Sequence, residues 1–479
     1  MSHDAFNMAA AARQEMMEHG FSPDFAPEVE QQLAGVRAAP DASLRDMTGL
    51  MWSSIDNDDS RDLDQIEWAE RDGTGFRVLV AVADVDSVVA QATPVDCHAA
   101  REATTVYAGV QTFPMLPERL STDLTSLSEG QDRAAGVIEV GVAAGGSITG
   151  SSISRALVRN RAQLTYNGVG PWLEGAGAAP PKVASAPDLA LQLKLQDEAA
   201  RALRDARTRS GALTFDRIET QPVISGGQVR DIAVRAHNRA AQLIEDFMIA
   251  ANEVMAQTLR QAGVSSIRRV VKAPERWPRI VELAAQYGEK LPDQPDSAAL
   301  SAFLMRRKQA DGVHYADVSL AVLKLMGPGE YLLMRPGDDA EGHFGLAAHD
   351  YTHSTAPNRR FADMVTQRLL KAINRKPAYA DAELASIARN CTLREDAARK
   401  VERAMRKRLA AVALHDRVGQ SFSAVVTGVT PKGVFVRALD PPVEGRLVRG
   451  EQGLDVGDRL HVRLLSTDPV RGYIDFGRE

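Results

Sequence analysis

Cysteine is nearly absent: Cys97 and Cys391 are the only two in 479 residues. They lie far apart and without CxxC spacing, which argues against a disulfide framework or a zinc site and fits a reducing compartment, the cytoplasm by default. The N-terminus places Asp4, Arg13, Glu15 and Glu18 among its alanines and has no uninterrupted apolar stretch. Neither a signal peptide nor a membrane span is therefore expected. No internal repeat is visible. With 44% apolar and 25% charged residues, the chain has the composition of a soluble globular protein long enough for two or three domains.

What the chain does have is concentrated acid. The run Ser54-Ile55-Asp56-Asn57-Asp58-Asp59-Ser60-Arg61-Asp62-Leu63-Asp64 packs five carboxylates into nine residues, ahead of a strand-like stretch from Phe76 to Asp84. Carboxylates this close repel one another in a partly dehydrated pocket unless cations hold them. Hard oxygen ligands suit Mg²⁺, Mn²⁺ or Ca²⁺ rather than zinc. A calcium-binding EF-hand loop is one alternative, because with Asp56 first, Asp58, Ser60, Asp64 and Glu67 fall at ligand positions. Against it, Arg61 stands where the sharp turn needs glycine, and no second such loop exists. A solvated acidic turn is the plainer alternative, and the run alone leaves it open.

Net charge is −6, yet the charge is uneven. After residue 350 the chain carries 23 Lys and Arg against 15 Asp and Glu, and before it 34 against 48. A basic carboxy-terminal third beside an acidic front suits a polyanion drawn toward a cation-binding site. Exposed Lys and Arg on ordinary helices are the alternative.

The patterning predicts an α+β multidomain chain in three parts. Residues 1–47 read as short helices broken at Phe21-Ser22-Pro23 and near Ala39-Pro40. Residues 48–417 read as a mixed α/β body: strand-rich from 51 to about 160, a Gly/Ala/Pro-rich loop from Gly168 to Pro187, and a helix from Leu191 to Arg207. A core helix follows from Asn238 to Gln261, with Asn238 as N-cap and Gly263 as stop, and basic helices from Asp363 to Ile373 and Cys391 to His415. Residues 418–479 hold five short β-patterned runs between Gly, Pro and Asp, a small closed barrel. It resembles the S1-like RNA-binding module, an OB-fold. Such barrels stack bases on exposed aromatics above a basic groove, and Phe422, Phe435, Lys432, Arg437, Arg446 and Arg449 are the candidates, with barrel core the alternative for each Phe.

Five segments then form one ordered set: Ser54 to Gln65, Val82-Ala83-Asp84-Val85, Phe113 to Ser121, Ile244 to Asn252 and Thr355 to Asp363. Together they resemble the ribonuclease II/R (RNB) exoribonuclease family, from about residue 51 to the C-terminus. The resemblance implies processive 3′-to-5′ hydrolysis of single-stranded RNA with a free 3′ end to nucleoside 5′-monophosphates, by a cytoplasmic monomer using Mg²⁺, or Mn²⁺ in its place. Two cations held by carboxylates can stabilise the attacking and leaving oxygens of a phosphodiester. Asp56, Asp62 and Asp64 match the family's acidic positions, Asp62 and Asp64 as catalytic residues and metal ligands together.

Arg359 matches the arginine that holds the scissile phosphate, with Arg360 a weaker second, and Tyr107 the tyrosine that packs against the last bases. Glu402 matches a glutamate that orients the 3′-terminal nucleotide. Lys432 and Phe435 complete the substrate-binding set. The chain departs from the pattern twice. Gln65 stands at the fourth acidic position, where an amide oxygen can coordinate but brings no charge, so a catalytically retired RNA-binding protein is the rival reading. The family's two cold-shock barrels are also missing upstream, and a helical, helix-turn-helix-like preface is expected in their place, leaving a mouth more tolerant of structured RNA. His343 and His349 read as structural.

Overall fold

The computed structural model describes residues 7–37, 43–216, 219–225, 228–235, 237–312, 315–338 and 342–479. The break expected near Ala39-Pro40 lies outside them. Helix α1 (Met8–Glu18) starts at Asn7, whose side-chain oxygen accepts from the Ala10 N–H at 2.9 Å, and is followed by Gly20 at φ +79°. Helix α2 (Pro27–Gly35) begins on its proline, whose missing N–H is not needed at the first helical position.

The body then opens with strands β1 (Arg45–Asp46), β2 (Trp52–Asp56), β3 (Gln65–Asp72) and β4 (Gly75–Ala83). Helix α3 (Pro94–Glu102), the short pair β5 (Val106–Tyr107) and β6 (Thr112–Phe113), and the long strands β7 (Asp132–Val142) and β8 (Ile148–Thr165) follow. Sheet order is β1-β8-β2-β3-β4-β7. Because β8 pairs with β7 as well as β2, the sheet curls back on itself. β4 shows why it is central. Its continuous apolar run sends Leu79, Ala81 and Ala83 into one core and Val78, Val80 and Val82 into the other, as a strand covered on both faces must.

The stretch expected as a loop from Gly168 to Pro187 instead holds α4 (Tyr166–Leu173) and α5 (Pro181–Ala184). Thr165 caps the Gly168 N–H at 3.2 Å, and burial of Val169 and Val183 outweighs the poor helical propensity of the glycines and prolines. Helix α6 (Pro187–Arg209), the hairpin β9 (Glu219–Ser225) and β10 (Gln228–Arg235), and α7 (Arg239–Gln261) come next. α7 matches its expectation: Asn238 accepts from the Ala241 N–H at 3.1 Å, and Gly263 sits at φ +64°.

Strand β11 (Ser266–Val271) pairs with a later strand across a helical block unforeseen from the sequence: α8 (Trp277–Gln286), α9 (Ser297–Ala310) and α10 (Tyr315–Leu325). The block packs a core of its own around Trp277, Leu300, Phe303 and Tyr315. That later strand is β12 (Gly329–Met334), followed by α11 (Phe361–Lys371) and α12 (Asp381–Ala413). The 33 residues of α12 span about 50 Å at 1.5 Å per residue. This helix is the spine of the molecule. Its Leu384, Ala388 and Cys391 join the main core, and its Ala398, Val401 and Met405 pack against Ala11, Ala12 and Met16 of α1, reinforced by Glu15 and Arg408 at 2.6 Å. Its Ala410, Ala411 and Ala413 enter the core of the terminal barrel.

α1 thus docks on α12 while α2 docks on α3. Each helix of the preface is fastened to the body separately, unlike the mutually packed pair of a helix-turn-helix. The barrel is built of β13 (Ser421–Thr430), β14 (Gly433–Ala438), β15 (Glu444–Arg449), β16 (Arg459–Asp468) and β17 (Tyr473–Arg478), and closes in the order β13-β14-β15-β17-β16.

Candidate active site

The acidic run forms the connection between β2 and β3, and it is tied down by neighbours distant in sequence. Leu63 is buried and its N–H donates to Ser126 Oγ at 3.1 Å, while that hydroxyl donates to the Arg61 carbonyl at 2.8 Å. The Asp64 carbonyl accepts from the Ala83 N–H at 2.9 Å. Leu63 therefore points inward as an anchor while Asp62 and Asp64, on either side of it, reach the cavity described below.

Asp64 is 3% exposed, and its Oδ1 accepts from the Asn358 N–H at 2.9 Å. The Arg359 Nε lies 3.6 Å from its Oδ2. Burial pushes the Asp64 carboxyl up to about 8, with Arg359 and the Asn358 N–H pulling the other way and Asp62 adding to the rise. Asp62 is raised too, first by burial and then by Asp56 and Asp59, against the pull of Arg359.

The turn that delivers Asn358 and Arg359 is held by Asp363, which is fully buried. Its Oδ1 accepts from the Ala356 N–H at 2.7 Å, and it takes Arg360 in a two-pronged pair at 2.9 and 2.7 Å. Arg360, expected as a second phosphate contact, is thus committed to Asp363 and does not line the cavity. A bidentate buried pair consumes the donors a phosphate would need.

A cavity of about 1460 Å³ runs along these groups, larger than the usual small-molecule pocket. Asp56, Asp62, Asp64, Gln65, Tyr107, Arg359 and Glu402 all line it. Glu402 does so in an unforeseen way. Its Oε1 accepts from the Tyr107 backbone N–H at 3.1 Å, so it holds the strand that presents the Tyr107 ring, 43% exposed. Lys432 and Phe435 are absent from the lining; Lys432 is exposed and Phe435 half-buried on the barrel. Arg437, which does line the cavity, is paired with Asp317 of α10 at 2.8 Å. Phe422 is core, edge-on to Phe476 at 6.2 Å. His343 stacks edge-on against Tyr351 at 5.3 Å, and His349 lies 3.6 Å from Asp350; neither reaches the cavity.

Much of the wall was invisible in the sequence. Leu320 and Leu323 of α10, Pro222 and Ile224 of β9, and Ile244 and Met248 of α7 close the sides. α7 alone could have been found, from its three-and-four spacing. Asn358 and Asp363 act through backbone contacts that no motif spacing reveals.

Among the described residues, no group of three or more His, Cys, Asp or Glu stands ready as a coordination shell. The donor set still fits a hard cation. Asp56 and Asp59 disfavour the charge of Asp62, Asp62 disfavours that of Asp64, and Arg359 is the cation that favours both. Mg²⁺ keeps several of its waters and needs only one or two carboxylates.

Comparison with known proteins agrees with this arrangement. The RNB domain family model matches residues 44–376, and that of the RNase II-type exonuclease C-terminal S1 domain matches residues 420–479. Ribonuclease R 1 of Lactococcus lactis is 28% identical over 88% of this chain and 55% of its own length. Ribonuclease R of Thermotoga maritima is 29% identical over 92% and 66%, and that of Escherichia coli K12 29% over 94% and 59%. The chain thus spans between half and two thirds of the length of these relatives.

In fold it is similar to Mycoplasma genitalium RNase R in complex with ribose-methylated single-stranded RNA, with a TM-score of 0.89 at 22% identity over 99% of this chain and 78% of that one. It is also similar to yeast Ssd1, a pseudonuclease, with a TM-score of 0.72 at 17% identity over 92% and 56%. The same fold therefore accompanies both names, and the side chains of the cavity must carry any argument about chemistry. With the RNB model covering well over half of its residues, the chain belongs to the RNB-domain family.

Proposed function

We propose that this chain is a 3′-to-5′ exoribonuclease that hydrolyses single-stranded RNA to nucleoside 5′-monophosphates with the help of Mg²⁺. The observation that supports it most is convergence: Asp56, Asp62, Asp64, Gln65, Tyr107, Arg359 and Glu402 come from four separate segments and line one cavity. Domains of 1–47, 48–417 and 418–479 divide the work into a docked preface, a catalytic body and an RNA-holding barrel.

Asp56, Asp62 and Asp64 with the Gln65 amide oxygen would hold Mg²⁺, which would supply charge neutralisation and water activation at the scissile phosphate. Arg359 holds that phosphate. Its side chain is 45% exposed, and its Asp64 contact at 3.6 Å is long enough to leave the guanidinium free to fork onto phosphate oxygens. Asp64, fixed by the Asn358 N–H, is oriented before substrate arrives, so little reorganisation accompanies the reaction. Tyr107 offers a face for the terminal bases, and Glu402 positions it through the backbone. On the barrel, Lys432 and Phe435 guide the strand outside the cavity.

No helix among the described residues is long and apolar enough to cross a membrane, and both cysteines are free thiols. Cytoplasmic action fits the free thiols, and a monomer suits a single-channel processive enzyme.

The test is a 5′-labelled single-stranded RNA incubated with Mg²⁺, with Mn²⁺ and with EDTA, beside an Asp64→Asn variant. A metal-dependent ladder ending in a short core, with mononucleotides released and the variant inert but still binding, is expected. Tight binding with no shortening under either ion would sink the proposal and leave an RNA-binding protein retired at Gln65.

A further inference from the structure

Tyr107 is held from behind. Val106 and Ala108, on either side of it in sequence, are buried, while the Tyr107 ring is 43% exposed and lines the cavity. α12 repeats the pattern: Val401 and Met405 are buried, and Glu402 beside Val401 accepts from the Tyr107 N–H at 3.1 Å. These buried neighbours and Phe113 of β6 share one small core with Ala11, Ala12, Met16 and Phe21 of the preface, a core separate from the two large ones of the body. The preface supplies four of its ten buried residues. Strands β5 and β6 are two residues each, and a pair so short does not hold its own position. Its support comes from α12 on one side and from α1 on the other.

Polar contacts fasten the preface at the same place. Glu15 meets Arg408 of α12 at 2.6 Å. Just past α1, the Phe21 ring lies under the Arg394 guanidinium at 4.0 Å, and Arg394 also donates to the Gly20 carbonyl at 2.9 Å and to Glu102 at 3.0 Å. Glu102 in turn accepts from the Ser22 N–H at 3.1 Å. The chain after Glu102 runs into the site: the Ala103 carbonyl accepts from the Phe361 N–H at 2.9 Å, and the Thr105 N–H donates to the Arg359 carbonyl at 3.0 Å. No preface residue lines the cavity itself.

We propose that α1 and the turn at Phe21 position the Tyr107 ring, and that through it they set the fragment length at which RNA shortening stops. The inference rests on the exoribonuclease reading. A long RNA is held inside the cavity and on surfaces outside it, whereas a short one is held by the cavity alone. A base stacked on Tyr107 is then a large share of its grip. When the pair β5 and β6 loses its backing, the short RNA leaves sooner and the residual fragment is longer. Met16 and Phe21 touch no substrate; they are positioning residues.

The experiment follows 5′-labelled single-stranded RNA with the full chain, below the melting temperature of every variant. Wild type, Met16→Ala, Met16→Leu, Tyr107→Ala, the Met16→Ala/Tyr107→Ala double variant and Leu33→Ala are compared. Leu33 of α2 is the control, because it is buried in the main core and its truncation removes a side chain of similar size from the preface without reaching the core behind Tyr107. Met16→Ala is expected to end on longer fragments than wild type. It should raise KM for a short RNA about 10-fold, within the value of one stacked base, with kcat nearly unchanged. Met16→Leu keeps the volume and should end as wild type does. The double variant should end where Tyr107→Ala ends, because the brace then has no ring to position. Leu33→Ala should lower the melting temperature and still end as wild type does.

Identical end fragments in Met16→Ala and wild type, or equal lengthening in Leu33→Ala, would overturn the inference and leave α1 a helix that only stabilises. A double variant ending on longer fragments than Tyr107→Ala would overturn it as well, since α1 would then act apart from the ring. So would a Tyr107→Ala that ends as wild type does. A wild type that binds RNA and shortens none of it overturns the exoribonuclease reading, and this inference with it.

Discussion

The terminal barrel closes around Phe422, Val426, Val436, Leu447, Val462, Leu464 and Phe476, and Thr427 is the one polar residue it buries among those described, whereas the body buries Asp64, Glu67, Asp246, Asp363 and Arg268. An apolar core asks only for shape. Buried ions ask for partners, and removing a partner costs far more than the pair contributes. The barrel thus displays its charge, Lys432, Arg446 and Arg449, on an apolar scaffold, while the body hides its own, and we propose that each acts through the charge so placed. Charge that is costly to bury sits beside the cavity, where a preorganised field serves chemistry. Each prediction below breaks that contrast or sharpens it.

The largest effect is expected at Asp64. Asparagine keeps an oxygen for the Asn358 N–H and loses the charge, so turnover of single-stranded RNA should fall about 10³-fold, roughly 4 kcal/mol. RNA affinity in EDTA should hold within a few-fold. The metal-free variant should melt no lower than wild type near neutral pH, because burial already favours the uncharged form of this carboxyl. Retention of more than about a tenth of the activity would mean that the hidden charge in the body is structural after all.

Arg359 and Arg360 separate the two uses of charge within one dipeptide. Arg360→Met leaves the fully buried Asp363 without its bidentate partner, and chemical denaturation should show a loss of about 3 kcal/mol or more. Arg359→Met removes a half-exposed group from a long contact, so stability should barely change. Turnover should drop about 10- to 100-fold, the value of a charge-assisted contact to phosphate. A reversal, with Arg359 needed for folding and Arg360 for turnover, would reverse the assignment of both.

These cases show what was legible in the sequence. The acidic run, Arg359, Tyr107 and the closed barrel could be read because each is carried by local residue types and order. α7 could be read from its capping Asn238 and its apolar spacing. Arg360 could not, because its partner Asp363 and the turn at Ala356 compete for it through space. Glu402 lines the cavity as its motif led one to expect, but its contact with the Tyr107 N–H could not be read, because its helix and β5 meet only in the folded chain. α4 and α5 were missed because burial of Val169 and Val183 overrides residues that read as loop. Glu67 was noticed only as one position in a calcium-loop count. Its burial, with neither carboxylate oxygen hydrogen-bonded, is a property of the sheet and of α6, not of the motif.

Glu253, on α7 about one and a half turns beyond the cavity-lining Met248, extends the contrast to pH. Burial pushes its carboxyl up to about 7, with Arg207 pulling it down and Asp350 pushing it up. The folded state therefore holds a proton that the unfolded chain releases in the ordinary glutamate range. Its contribution is present at low pH and is lost as pH rises from about 4.5 through 7. Glu253→Gln should remove that slope and gain at most about 3 kcal/mol at pH 8 over wild type, at 1.36 kcal/mol per unit, with no gain at pH 5. Urea unfolding at the two pH values checks it, and a gain at pH 5 that vanishes at pH 8 would contradict the sign.

The smallest effects belong to the barrel, because its charges are solvated. Lys432 is exposed and engages no described acid in an ion pair, so Lys432→Ala should weaken RNA binding by a similar factor for every sequence and reduce the salt slope by about one. Phe435→Ala should cost about 1–3 kcal/mol of binding if a base stacks there, and nearer the lower end because the ring is already half-buried. Neither change should alter turnover of an oligonucleotide short enough to lie within the cavity, since neither side chain lines it. Filter binding across a salt series, beside single-turnover cleavage of a short and a long RNA, separates the two regions. If Lys432→Ala slowed the short RNA as much as the long one, the barrel would reach into the chemistry, and the division between displayed and hidden charge would fail at the point where it is easiest to measure.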